Sequence, residues 1–364
     1  MDFRVDSLTI EEQCRESALA RRVLAELGNR VAVHYLADGR KAIRPRDGEH
    51  RFESGKSRLT IMKRRQPFLM ACPAGSAEFA CCGYLVMTLA SNCPMDCSYC
   101  FLQEFLADNP GLQIYANYAG ALEEVERLRA KAPTRRLRIG TGELADSLAF
   151  DSITRISSDL IPYFADQTTL TLELKTKTDE IGNLIKLDPK GRTLVSWTLS
   201  PHSVFRACEH GTAPPHLRLN AARRVLDCGY QVAFHFDPLI DYQNAERDYL
   251  ELIDELFDTI FPKHISFISI GGLRMTPGLS SIARRRFPHD RMLAGTEMVL
   301  APDGRLRTFT PRRLRLYRVV SDAIKRRAPE LAGYLCMETA NVSRQVFGFE
   351  APSPAVLAER LAGP

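Results

Sequence analysis

Three closely spaced cysteines constrain this chain more than any other feature. Cys93, Cys97 and Cys100 follow a C-x3-C-x2-C spacing, and Phe101 comes directly after the third cysteine. Cysteine thiolate is the usual ligand of [4Fe–4S] clusters, so three thiolates on a short loop can hold three irons and leave the fourth open. A structural zinc site needs four ligands, commonly as two separated pairs, and no second Cys or His pair follows at zinc-finger distance. The spacing therefore predicts an iron–sulfur cluster with one free coordination position.

The residues before the cysteines indicate where such a cluster would lie. The apolar run over residues 83–90 is typical of a buried parallel strand. A strand followed by a cluster loop and a helix is similar to the arrangement in radical S-adenosylmethionine (SAM) enzymes. There the open iron binds the amino and carboxylate groups of SAM, and the cluster's electron splits SAM into methionine and a 5′-deoxyadenosyl radical. An alternative from another class is a non-catalytic, metal-stabilised nucleic-acid-binding module.

From about residue 80, apolar segments alternate with amphipathic ones. The predicted helices include residues 119–131, 151–163, 214–228 and 243–260, and the predicted strands lie near 84–90, 136–141, 169–175, 193–199, 231–237 and 265–270. Strands that alternate with helices predict βαβ units and a parallel sheet. Six such units predict an α/β fold, a partial, open (β/α)6 radical SAM barrel. Its active site is expected at the C-terminal strand ends, where the cysteine loop begins.

Appended regions flank the predicted barrel, which we place at residues 80–275. Residues 1–79 form an N-terminal extension with helical periodicity over 10–27. A basic segment at 56–65 is a weak candidate for contact with a phosphate backbone. Residues 276–364 form a basic C-terminal region, in which a hairpin at 297–309 turns at Pro302-Asp303-Gly304 and a helix begins at Thr310-Pro311.

The positive charge is concentrated in that C-terminal region. The chain carries a net charge of +5, but residues 284–327 contain thirteen Lys and Arg against four Asp and Glu. Such a patch suggests an anionic polymer as partner. The hairpin and helix would then form a nucleic-acid clamp, with Arg312, Arg313 and Arg315 as candidates for phosphate contacts. The alternative is a solvated helix face.

Composition also predicts the cellular setting. No run approaches the roughly 18 apolar residues of a membrane-spanning helix, and the N-terminus lacks the features of a signal peptide. Ten cysteines in 364 residues do not amount to a disulfide scaffold. We therefore expect a cytoplasmic protein with no membrane partner, in the reducing setting that an oxygen-sensitive cluster requires.

Polar residues at the predicted strand ends are candidates for SAM contacts. Gly142 and Glu143 end the second strand: glycine allows close backbone approach, and a carboxylate can accept hydrogen bonds from an ammonium group. Lys177 follows the third strand and Thr198 ends the fourth. An ordinary βα turn and an exposed loop lysine are the alternatives. His235 and Asp237, in the fifth strand, are equally compatible with a structural and a functional role.

Taken together, several stretches resemble the spore photoproduct lyase family of radical SAM enzymes over roughly residues 80–350. The resembling stretches are residues 92–103, 113–117, 140–147, 209–212 and 229–238. Characterised members use the deoxyadenosyl radical to reverse a methylene-bridged thymine dimer in ultraviolet-damaged DNA. The resemblance implies a [4Fe–4S] cluster and SAM as cofactors, Phe101 among the cofactor contacts, DNA as partner, and an electron donor such as flavodoxin or ferredoxin. A modified RNA or a small molecule is the alternative substrate.

The chain departs from this family at the hydrogen donor. Family members carry a cysteine just after the second strand that returns a hydrogen atom to the thymine radical, and residues 139–146 contain none. Phe101 also replaces a tyrosine, although Tyr99 is retained. We expect another thiol or a tyrosine to serve: Cys336, in a short predicted strand after the basic helix, is the main candidate. Tyr99, Cys81 and Cys82 are the alternatives.

Overall fold

The structure, a computed structural model, describes residues 4–45, 52–72, 79, 82–348 and 353–362. Its N-terminal elements are β1 (Ser7–Glu11), α1 (Ala18–Leu27), β2 (Ala32–Leu36) and β3 (Arg58–Met62). Ser17 accepts a hydrogen bond from the amide of Ala20, which is how serine commonly starts a helix. The helix predicted from residue 10 therefore begins late, because residues 7–11 form a strand instead.

The middle of the chain alternates strands and helices, as the sequence predicts. Its elements are β4 (Leu69–Ala71), β5 (Leu85–Met87), β6 (Ala90–Ser91), β7 (Asp96–Cys97), α2 (Leu102–Phe105), β8 (Leu112–Tyr115), α3 (Ala119–Lys131), β9 (Leu137–Gly140), α4 (Asp151–Thr154), α5 (Ser157–Ala165), β10 (Leu170–Thr176), β11 (Thr193–Thr198), α6 (His202–Cys208), β12 (Glu209–His210), α7 (Pro215–Leu226), β13 (Gln231–Leu239), α8 (Ala245–Thr259) and β14 (Ile265–Gly272). The helix predicted at 151–163 is split into α4 and α5 because Arg155, between them, is left-handed.

The C-terminal elements are β15 (Arg274–Met275), α9 (Pro277–Arg286), α10 (Arg291–Ala294), β16 (Met298–Leu300), β17 (Leu306–Thr308), α11 (Thr310–Arg327), β18 (Gly333–Leu335), α12 (Ala340–Phe347) and α13 (Pro354–Leu361). The predicted hairpin is confirmed as the antiparallel pair β16–β17. The predicted helix after it is confirmed as α11. Within the described residues, no helix combines the length and the apolar character needed to cross a membrane.

The large sheet is a curled half-barrel. Its strand order is β18-β14-β13-β11-β10-β9-β5-β4, and every neighbouring pair is parallel except the antiparallel pair β4–β5 at one edge. The six predicted strands are confirmed, in sequence order. The predicted short strand at 334–337 is present as β18, but it ends at Leu335, so Cys336 directly follows it. Because the strands are parallel, the loops after them meet at one end of the half-barrel.

The two faces of the large sheet differ in chemistry. Leu172 and Leu174 are buried in the apolar core, whereas Glu173, between them, is a buried carboxylate. Side chains alternate along a strand, so Glu173 lies on the opposite face, where Ser196 Oγ donates to Glu173 Oε1 at 2.6 Å. His235 Nε2 lies 3.1 Å from the same oxygen. The inner face of the half-barrel is therefore polar and hydrogen-bonded.

A second sheet joins the N-terminal extension to the barrel. Its strand order is β2-β1-β3-β8-β6, so β8 and β6, which follow residue 80, complete a sheet begun by the first three strands. The extension is thus not built from a sheet of its own. The domain boundaries at residues 79 and 275 stay predictions.

Candidate active site

The cysteine loop is fixed by contacts from several elements. Asn92 turns the chain from β6 into the loop with φ +66°, a conformation that asparagine tolerates, and its Oδ1 accepts from the amide of Cys93 at 2.8 Å. Lys56 Nζ donates to the carbonyl oxygens of Cys93 at 2.7 Å and Met95 at 2.6 Å. Gln103 Nε2 donates to the carbonyls of Cys97 and Ser98 at 3.1 and 2.9 Å. The loop is therefore preorganised by the chain itself.

The three predicted cluster ligands share this loop. Cys93 and Cys97 are buried, and Cys100 is half-buried. Burial raises the pKa of Cys93 to about 12 and raises that of Cys97 as well, so a nearby metal centre would be needed to hold them as thiolates. Among the described residues, no three His, Cys, Asp or Glu side chains converge as ligands of a single ion. In a [4Fe–4S] cluster each cysteine binds a different iron, so three cysteines on one loop would hold three of the four irons.

A buried ion pair supports the loop from the barrel side. β12 pairs with β7, which places Glu209 opposite Cys97. Arg218 Nη2 donates to Glu209 Oε2 at 2.5 Å, with both side chains fully buried. Burial would raise the pKa of Glu209, but the charge of Arg218 outweighs it and lowers the pKa to about 2. The hydroxyl of Tyr99 donates to the same carboxylate, so the structure gives Tyr99 a positioning contact. Its catalytic assignment stays a prediction.

The glycine-rich loop after β9 lies close to the end of β10. A Cβ added at Gly142 would lie 2.7 Å from Lys175 Cβ, so only glycine fits this approach without rearrangement. Glu143 is half-buried and accepts no hydrogen bond from the described part of the chain. Burial and the nearby Asp237 carboxylate raise its pKa, while the ammonium of Lys175 opposes the shift. An unpaired carboxylate in this position fits the ammonium group of a ligand.

The strand ends bring a second set of polar groups to the mouth of the half-barrel. Arg274 Nη2 pairs with both oxygens of Asp237 at 3.0 Å. The amide of Cys336 donates to the carbonyl of Ile270 at 2.7 Å, which holds Cys336 at the end of β18. Burial and the Asp237 carboxylate raise the pKa of the Cys336 thiol, and Lys175 is close enough to oppose that shift. Cys336 therefore lies at the mouth, where the sequence predicted that it could return.

The predicted SAM contacts divide between two sides of this mouth. Gly142 and Glu143 lie with Lys175, beside Asp237. Lys177 lies on the cluster side, with Nζ 5.7 Å from the centre of the Tyr99 ring. Thr198 is also on that side, because its carbonyl accepts a hydrogen bond from Arg218 at 2.8 Å.

Phe101 and the cysteine alternatives have different surroundings. The Phe101 ring is 41% exposed and packs against Phe105 at the surface of the loop, and its assignment as a cofactor contact stays a prediction. Cys82 packs beside Cys336 against the cluster of apolar residues that contains Tyr334. Cys81 lies outside the described residues.

The comparisons with known proteins agree with this geometry. A model of the family described as spore photoproduct lyase matches residues 5–298 of the chain. The chain belongs to the spore photoproduct lyase family. A spore photoproduct lyase of Geobacillus sp. is 24% identical over 245 residues, covering 66% of this chain and 70% of its own. One of Clostridium acetobutylicum is 22% identical over 285 residues, covering 78% and 82%.

Solved structures of spore photoproduct lyase share the fold. One complexed with dinucleoside spore photoproduct aligns with a TM-score of 0.81 at 20% identity, covering 92% of this chain and 100% of the other. A mutant with bound AdoMet and dinucleoside spore photoproduct gives 0.79 at 20% identity, covering 93% and 100%. The half-barrel is therefore the radical SAM fold of this family, as the sequence predicted.

The predicted phosphate contacts need one correction within this family fold. Arg313 is 8% exposed, and its Nε lies 2.8 Å from Glu338 Oε1. Its assignment as a phosphate contact is wrong, because the side chain points inward. The sequence contained the signal: Arg313 precedes Tyr317 by four residues and Val320 by seven, which places all three on one helix face. Arg312 and Arg315 remain exposed or half-exposed and pair with Asp241 and Glu246.

Sequence reasoning also misplaced or missed residues around the loop. The sequence suggests Lys56 as part of a candidate phosphate-contacting segment at 56–65. In the structure its side chain is only 13% exposed and donates hydrogen bonds to the cysteine loop. Arg274 and Arg218 were not identified. Arg274 lies two residues after Gly272, at the glycine-rich end of the sixth strand, and that position was the available signal. Arg218 lies in α7, where the local pattern gives no sign of its buried partner.

Proposed function

We propose that the protein is a radical SAM enzyme that repairs a photolesion or a related adduct in DNA. The preorganised cysteine loop at the C-terminal end of a radical SAM half-barrel is the observation that carries this proposal. Membership of the spore photoproduct lyase family supports the substrate class. When bound here, a [4Fe–4S] cluster and SAM supply a 5′-deoxyadenosyl radical, which removes a hydrogen atom from the substrate.

The residues of the loop and the strand ends have separate roles in this proposal. Cys93, Cys97 and Cys100 hold the cluster. Glu143 would accept hydrogen bonds from the SAM ammonium group. Gly142 positions Glu143, because the absence of a side chain there lets this loop pack closely against Lys175. Two further contacts are assigned on the cluster side: Lys177 to the SAM carboxylate, and Thr198 to its ribose or methionine portion.

Cys336 is the proposed hydrogen donor to the substrate radical. A thiol suits this step because its S–H bond is weak. The substrate radical gains a C–H bond, the S–H bond breaks, and the unpaired electron passes to the sulfur of Cys336 as a thiyl radical. The support is positional: Cys336 lies at the mouth, beside Asp237 and Lys175, at the end of a strand. Tyr99 is the weaker candidate because its hydroxyl already donates to Glu209.

Two partners complete the proposal. Arg312 and Arg315 contact the phosphates of DNA from the exposed face of α11. A small one-electron carrier, such as a flavodoxin or a ferredoxin, would supply the one electron that SAM cleavage consumes.

The decisive test uses anaerobically reconstituted protein, SAM and ultraviolet-irradiated DNA, with mass analysis of the digested nucleosides. Wild-type protein should hold about four irons per chain, form 5′-deoxyadenosine with dithionite and remove a photoproduct from the DNA. Cys97→Ala should abolish SAM cleavage, whereas Cys228→Ala, a matched change of a half-buried cysteine outside the loop, should retain it. SAM cleavage by Cys97→Ala would refute the site. Cleavage by wild-type protein without loss of any photoproduct would redirect the substrate to RNA or a small molecule.

A further inference from the structure

The electron carrier needs a surface close to the cysteine loop, and the structure contains one with a distinct chemistry. We propose that an acidic one-electron carrier docks on a surface formed by α2 and the C-terminal end of α9 with α10. We call it the α9 surface, and its exposed members are Phe101, Phe105, Arg284, Arg285 and Arg291. This inference rests on the proposed function, because a carrier is required only if the loop holds a redox cluster.

The α9 surface is directly bonded to the cysteine loop. Arg286, the last residue of α9, pairs with Asp96 at 2.7 Å and also donates to the side chain of Gln103. Asp290, just before α10, accepts from Ser98 Oγ at 2.6 Å. A protein seated on these helices is therefore separated from the cluster ligands by one layer of side chains. Electron transfer favours such short paths.

The charges of this surface are uncompensated. Arg284, Arg285 and Arg291 are exposed and form no ion pair within the described residues. Arg286, by contrast, is occupied by Asp96 and by Glu53, the latter at 3.2 Å. Three exposed guanidinium groups without an ion-pair partner, all within residues 284–291, contribute a positive potential that would steer an acidic protein into contact.

Two aromatic rings give the same surface an apolar anchor. Phe105 is 64% exposed and Phe101 41% exposed, and their ring centres lie 6.1 Å apart. Aromatic residues and arginine are the residue types enriched at the energetic centre of protein interfaces, and α2, which carries Phe105, packs against α9 through Glu104 and Leu279. Phe101 also directly follows Cys100, so this anchor is adjacent to a cluster ligand.

Nucleic acid is the competing occupant, because arginines and aromatic rings also bind single strands. The position of the surface favours the carrier. The α9 surface contacts the loop through Asp96, Ser98 and Gln103, whereas Glu143 and Cys336 face the mouth from β9 and β18. The substrate has to occupy the mouth during the same reaction cycle in which the carrier delivers its electron. The two partners therefore need different surfaces.

The experiment compares two reductants for the same reaction. The variants are the double change Arg284→Glu/Arg285→Glu and the single change Phe105→Ala. The matched control is Arg223→Glu/Arg224→Glu, which alters two adjacent exposed arginines in the last turn of α7. Both double changes therefore place the same charge at a helix C-terminus. The rate of 5′-deoxyadenosine formation is measured with dithionite, and separately with a purified flavodoxin reduced by its NADPH-dependent reductase.

Both α9-surface variants should raise the KM for flavodoxin, by about tenfold for the double change, equivalent to about 1.4 kcal/mol. Their dithionite-driven rates should match wild type, and the α7 control should be normal with both reductants. An unchanged KM for flavodoxin in both variants would overturn the proposal. So would an equal loss with both reductants, or a loss of affinity for irradiated DNA with normal use of flavodoxin. Failure of wild-type protein to cleave SAM with dithionite would refute the proposed function itself.

Discussion

One lysine outside the barrel, Lys56, connects the N-terminal extension to the cysteine loop. An ammonium group has three donors, and Lys56 Nζ uses them on the carbonyls of Cys93 and Met95 and, at 3.4 Å, on Asn92 Oδ1. It also lies 4.5 Å from the centre of the Phe52 ring, within the range of a cation–π contact. Lys56 therefore both shapes the cysteine loop and places a positive charge beside the cluster ligands.

Lys56→Met should weaken the cluster site in two measurable ways. Loss of the ammonium leaves loop carbonyls without their donor, which costs about 1–3 kcal/mol for each buried group, so less iron should be retained after reconstitution. Loss of a positive charge should make the reduction potential of the retained cluster more negative, because charge near a cluster sets its potential. Iron analysis and a redox titration followed by electron paramagnetic resonance check both.

Lys63→Met is the matched control for that change. Lys63 directly follows β3, in the same extension, and is exposed. It should leave iron content and potential unaltered. If Lys56→Met behaved like Lys63→Met in both measurements, the cysteine loop would not depend on Lys56.

At the scale of elements, the proposed hydrogen donor directly follows β18, a three-residue strand at one edge of the half-barrel. β18 spans three residues and pairs with β14, and the residues after Cys336 are anchored firmly. Glu338 accepts from Tyr317 Oη and lies next to Arg313 Nε, both at 2.8 Å. Because α11 supplies both of these partners, that helix holds the Cys336 segment at the mouth.

Cys336→Ala should separate radical formation from product formation. Cleavage of SAM should continue, because Cys336 touches none of the cluster ligands, but the substrate radical should be diverted into side products. We expect repaired product to fall by at least about tenfold, a change of roughly 1.4 kcal/mol in the competing barriers. Mass analysis of the digested DNA checks this, with Cys228→Ala as the thiol control. Normal product yield from Cys336→Ala would end its assignment as donor.

The sequence predicted best the elements that can be recognised from their own residues, without knowledge of distant partners. The six parallel strands are apolar runs between amphipathic helices. The length of each run and the periodicity of the helices around it are enough to predict a strand. β1, β2 and β3 were missed because each is short and depends on β8, more than 45 residues after β3, for its sheet. Tertiary context decides such strands. The same holds for Lys56, whose hydrogen-bond partners lie 36 to 39 residues along the chain.

For the whole molecule, acidic residues balance only part of the positive charge of segment 284–327, because Arg284, Arg285 and Arg291 form no ion pair within the described residues. The basic segment 284–327 faces acidic residues from other elements. Arg315 pairs with Glu246, and Arg327 pairs with Asp254 and Asp258, all from α8. Linear charge counting overstates the free positive surface, because it ignores the acidic face that packs against α11. Only a part of the predicted clamp can therefore contact phosphates.

The salt dependence of DNA binding tests how large that part is. Each phosphate neutralised by a side chain releases condensed counterions, so log K falls with log[salt] by about 0.9 per contact on duplex DNA. Arg312→Ala/Arg315→Ala should flatten this slope by up to about 1.8, whereas Arg223→Ala/Arg224→Ala, on α7, should leave it unaltered. Arg313→Ala should behave differently from both. It leaves Glu338 buried beside one remaining arginine, and breaking a buried ion pair costs about 3–5 kcal/mol, so its effect should appear in thermal unfolding. An unaltered slope in the Arg312/Arg315 variant, measured by fluorescence anisotropy with irradiated duplex DNA, would remove α11 from the interface.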